Sequence, residues 1–257
     1  EEPLVVRPTS ETVIHHMFAR WMHSYRDLPI QVNQWCSVVR WEKRARPFLR
    51  TTEFWWQEGH TAHETEQEAH VMAKTMHHIY RDFMHDVLAI PVFAERKPPH
   101  ERFAGATETY TLEGIMPDGK ALQMGTSHEI SQSFAKAFDM TFQSREGQQA
   151  YPYLTSWGVT TRMIGAVVMS HGDNKGLILP PKIAPYQIVI VPIFKTDTKE
   201  SVLATTEQLA QELKKQFRVT IDADDSTTPG AKFYTWEMKG VPLRIEIGPR
   251  DIEKNQV

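Results

Sequence analysis

The sequence has little cysteine, no long apolar run and no strong excess of charge of either sign. Its 257 residues contain one cysteine, Cys36, which excludes an intrachain disulfide and a cysteine-rich zinc site. No stretch approaches the roughly 18 consecutive apolar residues of a membrane span, which argues against an integral membrane protein. The first residues, Glu1-Glu2-Pro3, do not resemble a secretory signal, so we predict a reducing, cytoplasmic setting.

The overall charge excludes a protein that coats nucleic acid with its whole surface. The formal net charge is −3, and hydrophobic and charged residues make up 40% and 24% of the chain, as in ordinary globular proteins. One segment differs: between Arg40 and Arg50 there are five basic residues and a single acid, Glu42. A local site for an anionic ligand is therefore compatible with the composition.

Phosphate-binding loops and nucleophiles are also scarce. No glycine-rich loop of the P-loop or dinucleotide-binding kind occurs in the chain, so any nucleotide must be held by side chains on strands and at helix ends. Cys36 follows Trp35 on a predicted strand and is expected to be a core residue rather than a nucleophile.

Twelve histidines raise the question of a metal site. His63-Glu64 begins like the helix motif of zinc proteases, but Gln67 stands where the second histidine is needed. Two alternatives stay open for His60, His63 and His70: a metal cluster, or surface and partly buried imidazoles, of which the second is favoured because their spacing is not specific.

Apolar periodicity divides the chain into two regions with a boundary near 183. The elements predicted for the first region are helices at 9–26 and 62–88, strands at 36–42 and 50–57, strands and turns over 103–142, and a helix after Ser156-Trp157-Gly158. The second region is predicted to hold strands at 188–193, 219–221 and 241–247 and a helix at 199–217. Strand, helix, strand order predicts a small α/β domain with a largely parallel sheet.

The two strands at 36–42 and 50–57 carry the most informative pattern. Alternation predicts Arg40 and Glu42 on one face of the first strand, with residues of the second on a matching face: Arg50, Thr52, Phe54 and Trp56. Guanidinium groups bind phosphate in a planar fork, and an aromatic ring beside them offers a stacking surface for a base. The alternative is a solvated strand face with salt bridges.

Arg162 adds a second candidate phosphate ligand. It is predicted in the first turn of the helix that follows Gly158, where the positive end of the helix dipole adds to the guanidinium charge. The alternative is a plain surface arginine on that helix.

Eight sets of residues, in order over almost the whole chain, then form a recognisable series. They are Arg7-Pro8-Thr9-Ser10-Glu11-Thr12; 33–42, which runs from Asn33 to Glu42; Pro47-Phe48-Leu49-Arg50-Thr51-Thr52-Glu53-Phe54; Trp56-Gln57-Glu58-Gly59-His60; Gly125-Thr126-Ser127-His128; Ser156-Trp157-Gly158-Val159-Thr160-Thr161-Arg162; His171-Gly172-Asp173 with 176–181; and Lys239-Gly240-Val241-Pro242 with Gly248-Pro249-Arg250-Asp251. The series resembles class II prolyl-tRNA synthetases of the archaeal and eukaryotic type, which lack a large editing insertion between these motifs.

The resemblance implies a fold, a domain organisation and a reaction. The fold class is α/β: an α+β catalytic domain with the antiparallel sheet of class II synthetases over 1–183, then a smaller α/β anticodon-binding domain over 184–257. The reaction is that of a proline–tRNA ligase, which activates L-proline with ATP, releases pyrophosphate and transfers proline to tRNA(Pro). Because the substrate carboxylate is the nucleophile, a missing serine or cysteine nucleophile is consistent with this chemistry.

The resemblance also assigns roles to residues. Arg40 and Arg162 are the catalytic pair, on the α-phosphate with the proline carboxylate and on the terminal phosphate. ATP is assigned to Arg40, Glu42, Arg50, Thr51, Phe54, Gln123, Thr126, Thr160 and Arg162, with Gln123 and Thr126 beside its Mg²⁺. Proline is assigned to Thr9, Glu11, Arg40, Trp56, His60 and His128. The tRNA anticodon is assigned to Glu237, Arg244, Arg250 and Asp251, and no zinc is expected.

Some features depart from the pattern of these synthetases. Motif 1, which makes much of the dimer interface, would precede residue 1, and the anticodon domain would continue beyond Val257. The segment from His128 to Phe134 lacks the usual leucine-glycine-glutamine-asparagine run. A fragment is therefore expected, with a homodimer as the state of the full-length protein. The alternative function is a catalytically silent, tRNA-binding fragment or paralogue.

Overall fold

The computed structural model describes residues 2–257, which form two compact units. The first unit comprises the chain up to Asp86 together with Ile90–Ala166, and the second comprises Val87–Ala89 and Val167–Val257. The predicted division at 183 lies within the second unit and stays a prediction. Within residues 2–257, none of the helices combines the length and the apolar character needed to cross a membrane.

A six-stranded antiparallel sheet is the framework of the first unit. Its strands, in chain order, are β1 (Ile30–Val39), β2 (Glu53–His63), β3 (Phe93–Arg96), β4 (Glu108–Ile115), β5 (Ala121–Ser131) and β8 (Tyr153–Thr160). They pair in the order β1-β2-β8-β5-β4-β3, so that β8 is inserted between β2 and β5. Two short strands, β6 (Phe142–Gln143) and β7 (Gln149–Ala150), form a separate hairpin. The predicted antiparallel sheet is thus confirmed.

Three helices accompany this sheet: α1 (Glu11–Trp21), α2 (Glu66–Asp82) and the short α3 (Ser133–Ala137). Ser10 is the N-cap of α1. The α2 helix begins later than predicted because Thr65 and Glu68 close a capping box, in which each side chain accepts from the backbone N–H of the other. A π-helical turn, Phe83–Val87, continues α2.

The hairpin of β1 and β2 forms as predicted, but its strands end sooner at the loop. Val38 pairs with Phe54 and Cys36 with Trp56, so Phe54 and Trp56 share one face. The expected strand positions of Arg40, Glu42, Arg50 and Thr52 are wrong, because these residues lie in the connecting loop, 40–52. A segment with five basic residues and Pro47 does not extend the ladder, and it folds on itself through reciprocal backbone hydrogen bonds between Arg46 and Arg50.

The second unit is built on a three-stranded parallel sheet, in the order β10-β9-β11. Its strands are β9 (Ile188–Pro192), β10 (Val219–Ile221) and β11 (Leu243–Ile247), and its helices include α5 (Lys199–Leu213), α6 (Pro229–Met238) and α7 (Pro249–Lys254). All five residues of β9 are buried, as expected for a central strand. A further helix, α4 (Arg162–His171), spans the boundary between the units.

Candidate active site

A cavity of about 410 Å³ lies against one face of the six-stranded sheet, within the first unit. Almost all residues assigned to ATP or proline line it: Thr9, Glu11, Arg40, Glu42, Arg50, Thr51, Phe54, Trp56, Gln123, Thr126, His128, Thr160 and Arg162. His60, also assigned to proline, is not among the lining residues. Residues separated by more than 150 positions in sequence therefore meet in one cavity.

Strand register explains why these residues share a face. Opposite residues of an antiparallel sheet point to the same side, and His128 pairs with Thr109 on β4 and with Ser156 on β8. Two residues along β5, Thr126 pairs with Gly158 on β8, which in turn pairs with Glu58 on β2. Gly158 has no side chain, which leaves room on the cavity face of the sheet. A bulge in β5 then brings Gln123 back to this face, opposite Glu113.

Glu11 is a buried carboxylate on the cavity wall. It is the first residue of α1 and only 6% exposed. The Ser156 hydroxyl donates to Glu11 Oε1 at 3.1 Å, and the Thr9 hydroxyl donates to Glu11 Oε2. Among residues 2–257 no basic side chain pairs with this carboxylate, so a cation of suitable size in the cavity could pair with it.

A second buried carboxylate, Glu58, also lines the cavity. Burial opposes its ionisation, but the nearby His60 and Ser10 side chains and a hydrogen bond from the Gln34 amide hold the pKa of Glu58 below its ordinary value. The His60 Nε2 atom lies 3.3 Å from Glu58 Oε2, at an ion-pair distance without hydrogen-bond geometry. Glu58 belongs to a motif found in the sequence, yet sequence reasoning gave it no role.

His60 is covered rather than exposed to the cavity. It is 1% exposed, and its ring meets the His15 ring of α1 edge-on, with centroids 5.8 Å apart. The alternation on β2 does place His60 on the cavity face of the sheet, opposite Ser156. Because α1 packs over it, direct contact between His60 and a ligand is not what this geometry supports.

His128 is a neutral imidazole at neutral pH. Burial, and then electrostatic interactions with Lys97 and His60, lower the pKa of His128 to about 4. Its Nδ1 atom lies 3.0 Å from the Thr109 hydroxyl, and the Phe103 ring packs on it at 4.9 Å. His128 therefore offers the cavity a polar edge without adding positive charge.

Arg40 extends from the end of β1 and is held from two sides. Its Nε donates to the carbonyl of Pro8 at 2.9 Å. Its guanidinium carbon lies 5.6 Å from the centre of the Phe54 ring and 5.4 Å from that of Trp56. The stacking and the single hydrogen bond fix the guanidinium while leaving further N–H donors for a ligand.

Arg162, at the start of α4, contacts both β5 and the loop 40–52, which we call the basic loop. Its Nε donates to Leu49 O at 2.9 Å and its Nη1 to Gln123 O at 3.0 Å. Burial, and then the charges of Arg50 and Arg40, lower the pKa of Arg162 below its ordinary value. The guanidinium groups of Arg40, Arg50 and Arg162 therefore repel one another and form a preorganised site for an anion.

The basic loop contributes Glu42, Arg50 and Thr51 to the cavity. Arg50 Nη1 lies 3.5 Å from Glu42 Oε2, and the Thr51 hydroxyl donates to Glu53 O at 2.7 Å. Leu49 anchors the loop on α4, because a Cβ at Gly165 would lie 2.6 Å from Leu49 Cδ2. A glycine at 165 therefore permits the approach that brings Leu49 O to Arg162.

Lys97 also lines the cavity, and sequence reasoning missed it. Its ammonium donates to Gln123 Oε1 at 2.5 Å. The oxygen of Gln123 is thus engaged by a cation, which does not favour the predicted contact between this side chain and Mg²⁺. Within the described residues, no group of three or more His, Cys, Asp or Glu side chains is placed to hold a metal ion.

In the second unit, the residues assigned to the anticodon fall into two groups. Arg244 pairs with Glu237 of α6 at 3.2 Å and with Glu246 at 3.0 Å, and its guanidinium stacks 4.1 Å from the Phe233 ring. Arg250 and Asp251 lie beyond the other end of β11, at the start of α7. The Asp251 carboxylate there accepts from Gly248 N, and Arg250 is exposed.

The two units match different family models. Residues 1–171 match the tRNA synthetase class II core domain (G, H, P, S and T), and residues 187–257 match an anticodon binding domain. Curated relatives include the proline–tRNA ligases of Alkaliphilus oremlandii and Acetoanaerobium sticklandii, which are 58% and 59% identical over 255 residues. Each alignment covers 99% of this chain and 53% of the relative, so the chain spans about half the length of these relatives.

A solved structure shows the same fold. The prolyl-tRNA synthetase from Cryptosporidium parvum complexed with L-proline and AMP is 49% identical, with a TM-score of 0.91 over 96% of this chain and 52% of that chain. Since the core-domain match spans more than half of the chain and contains both the antiparallel sheet and the cavity, the chain belongs to the class II tRNA synthetases.

Proposed function

We propose that the chain carries the catalytic and anticodon-binding parts of a proline–tRNA ligase. One observation carries this proposal: a single cavity holds a buried carboxylate at one place and a cluster of guanidinium groups at another. The Glu11 carboxylate accepts a hydrogen bond from the Ser156 hydroxyl of β8. The backbone N–H of Arg162 donates to the hydroxyl of Thr160, which lies four residues after Ser156 on the same strand. That spacing is about 13 Å along a strand, which suits an amino acid placed end to end with a nucleotide phosphate.

Proline fits the carboxylate end by charge. Its ring NH2⁺ group would donate to Glu11, while its carboxylate would point toward Arg40. Thr9, Trp56 and His128 complete the walls there, and a neutral His128 does not repel the substrate cation. The L-proline complex of the Cryptosporidium parvum enzyme supports the choice of amino acid.

ATP fits the guanidinium end. Arg40 and Arg162 would contact the α-phosphate and the terminal phosphate, and Phe54 would stack against the base. Arg50, Thr51, Thr126 and Thr160 line the same region, with Glu42 close to the base and Gln123 on the far side of the phosphates. Mg²⁺ would enter as part of the ATP complex, held chiefly by phosphate oxygens, because the cavity offers cations rather than a carboxylate set at this end.

The chemistry then needs positioning and charge neutralisation. A proline carboxylate oxygen attacks the α-phosphorus, the bond to the bridging oxygen of the β-phosphate breaks, and pyrophosphate leaves. The negative charge that builds on the α-phosphate oxygens faces Arg40, and the leaving group faces Arg162. In the second step a hydroxyl of the terminal adenosine of tRNA(Pro) attacks the carbonyl carbon, and AMP leaves.

The second unit would read the tRNA. Its match to an anticodon binding domain supports this role, with Glu237, Arg244, Arg250 and Asp251 as the residues that face the anticodon. We place the domain division at 183/184, after Pro180-Pro181, and the enzyme in the cytoplasm. A homodimer is supported by the exposed outer hairpin, where Trp35 is 79% and Trp55 70% exposed on the edge strand β1 and its neighbour β2.

The experiment that tests the function is amino-acid-dependent exchange of pyrophosphate into ATP, run with each of the twenty amino acids. We expect exchange with proline and little with the others. Exchange with a different amino acid would refute proline as the substrate, and no exchange with any would favour a silent tRNA-binding role. The present geometry does not favour that role, because both phosphate arginines and Glu11 are in place.

A further inference from the structure

Lys97 is a cation of the cavity that the proposed reaction leaves without a role. It follows the last residue of β3, where its backbone N–H donates to Thr109 O at 2.8 Å and its carbonyl accepts from Arg102 Nε at 3.3 Å. Both backbone groups of Lys97 are therefore fixed, and the half-buried side chain extends along the cavity wall. Its direction is set by the sheet rather than by a flexible loop.

The contact of Lys97 with Gln123 determines how the Gln123 amide is turned. The ammonium Nζ lies 2.5 Å from Gln123 Oε1. An ammonium has donors only, so the amide atom that faces it must be the oxygen rather than the NH2 group. The NH2 group then points away from Lys97, and across residues 2–257 it makes no hydrogen bond to the protein while its residue lines the cavity.

Gln123 is also tied to the guanidinium cluster through its backbone. Its carbonyl oxygen accepts from Arg162 Nη1 at 3.0 Å. Lys97, Gln123 and Arg162 therefore form one connected chain of polar contacts along the part of the cavity assigned to ATP. Both oxygens of Gln123 are engaged, whereas its NH2 group has no hydrogen-bond partner among residues 2–257.

We propose that Lys97 is a positioning residue of the nucleotide site, which holds the Gln123 carbonyl oxygen so that the Gln123 NH2 group is presented to ATP as a donor. This role rests on the proposed function, because it takes ATP as the ligand of that end of the cavity. It also assigns Gln123 a donor contact to the nucleotide in place of a contact to Mg²⁺. A second cation on an oxygen that already accepts from an ammonium is electrostatically disfavoured.

A competing role for Lys97 is a direct one, in which its charge attracts the phosphates without help from Gln123. The two roles differ in one respect. Positioning needs Gln123, whereas simple attraction between charges persists when the amide is removed. A double-mutant cycle separates them, because residues that act through one another give non-additive effects.

The test measures the affinity for AMPPNP, in a magnesium-containing buffer, by isothermal titration calorimetry. The variants are Lys97→Met, Gln123→Ala, the double variant and Lys97→Arg, with thermal melting as a check of folding. Lys120→Met is the matched control, since Lys120 is an exposed lysine in the β4–β5 turn, away from the cavity lining, and pairs with Asp118 at 3.4 Å. AMPPNP binding needs no amino acid, so the result is independent of which amino acid supports pyrophosphate exchange.

We expect Lys97→Met to weaken AMPPNP binding about tenfold, as for a lost hydrogen bond to a charged group, and Lys97→Arg to restore most of it. In the Gln123→Ala background, Lys97→Met should add no more than about a twofold loss. A full tenfold loss in that background, or unchanged affinity in Lys97→Met alone, would overturn the proposal. Absence of AMPPNP binding by the unsubstituted chain would overturn the nucleotide site and this role together.

Discussion

The Ser156 hydroxyl of β8 donates a 3.1 Å hydrogen bond to the Glu11 carboxylate at the start of α1. This contact joins residues 145 positions apart and fixes the first turn of a helix to the middle of the sheet. A glutamate in the first turn of a helix is usually a solvated group that interacts with the helix dipole. Glu11 is instead buried, and its position on the cavity wall is what suggests a ligand contact.

Replacement of Arg40 by alanine should act on the chemical step. Arg40 is expected to meet charge that develops on the α-phosphate in the transition state, so Arg40→Ala should lower kcat for proline-dependent pyrophosphate exchange by about 100-fold or more. Steady-state exchange kinetics at saturating proline and ATP measure this loss. Arg44→Ala is the control, because Arg44 is an exposed residue of the same loop that does not line the cavity. An equal effect of both substitutions would show that only the net charge of the loop matters.

His15 should make the stability of the chain depend on pH. Burial, and then the nearby His60, lower the pKa of His15 from 6.5 to about 3, and neither ring nitrogen has a hydrogen-bond partner among residues 2–257. The unfolded chain therefore takes up this proton at a higher pH than the folded chain does. The stability that a neutral His15 confers is complete above pH 6.5 and decreases as the pH falls from there toward 3.

Urea unfolding at pH 7 and pH 5 measures this contribution. We expect His15→Leu to reduce the loss of stability between the two pH values by about 2 kcal/mol relative to the unsubstituted chain. His16→Leu, at the exposed neighbouring position on α1, should leave the pH dependence unchanged. If the His15→Leu chain lost as much stability on acidification as the unsubstituted chain, burial of a neutral His15 would not be the cause.

Much of the site could be predicted because its residues lie in short, specific segments. The alternation around Phe54 and Trp56 predicted the hairpin and a phosphate-binding role for Arg40, whereas Glu11 was assigned by the resemblance of residues 7–12 to a synthetase motif. Strand ends were harder to predict, since the basic segment leaves the ladder at Val39 rather than continuing to Glu42. Loop conformation there depends on contacts with α4 that are distant in sequence.

Two other features depended on packing that a sequence pattern does not contain. The period of β2 places His60 on the cavity face, but only the docking of α1 covers it with His15. Lys97 reaches Gln123 because β3, β4 and β5 pair in a particular register, and its sequence context gave no signal. The start of α6, by contrast, follows a pattern visible in the sequence, with Thr228 as N-cap and Pro229 as the first helical residue.

Arg250 provides a test of the division of labour between the two units. It is exposed at the start of α7, in the unit that matches an anticodon binding domain. Arg250→Ala should weaken binding of tRNA(Pro) by about 1–3 kcal/mol, as for a lost base or backbone contact. Proline-dependent exchange needs no tRNA and should be unchanged. Filter binding and exchange assays on the same preparation compare the two, and a loss of exchange activity would contradict separate roles.

Glu11→Gln tests the central claim, that the cavity binds the cation of proline at Glu11 and the phosphates of ATP at the arginines. The substitution keeps the size of the side chain and an oxygen that can accept from Ser156, but removes the charge. Glu66→Gln is the matched control, because Glu66 is also the first residue of a helix, α2, and is exposed. If Glu11 acted only on its helix, both substitutions would cost about 0.3–1 kcal/mol of stability and nothing else.

The decisive measurement is the KM for proline of Glu11→Gln in pyrophosphate exchange, with the KM for ATP determined alongside. Loss of a charge partner in a buried pocket predicts a rise in the proline KM that corresponds to about 2–5 kcal/mol, with the ATP KM nearly unchanged. An unchanged proline KM together with a lowered melting temperature would contradict the account and leave Glu11 as a residue that only starts a helix.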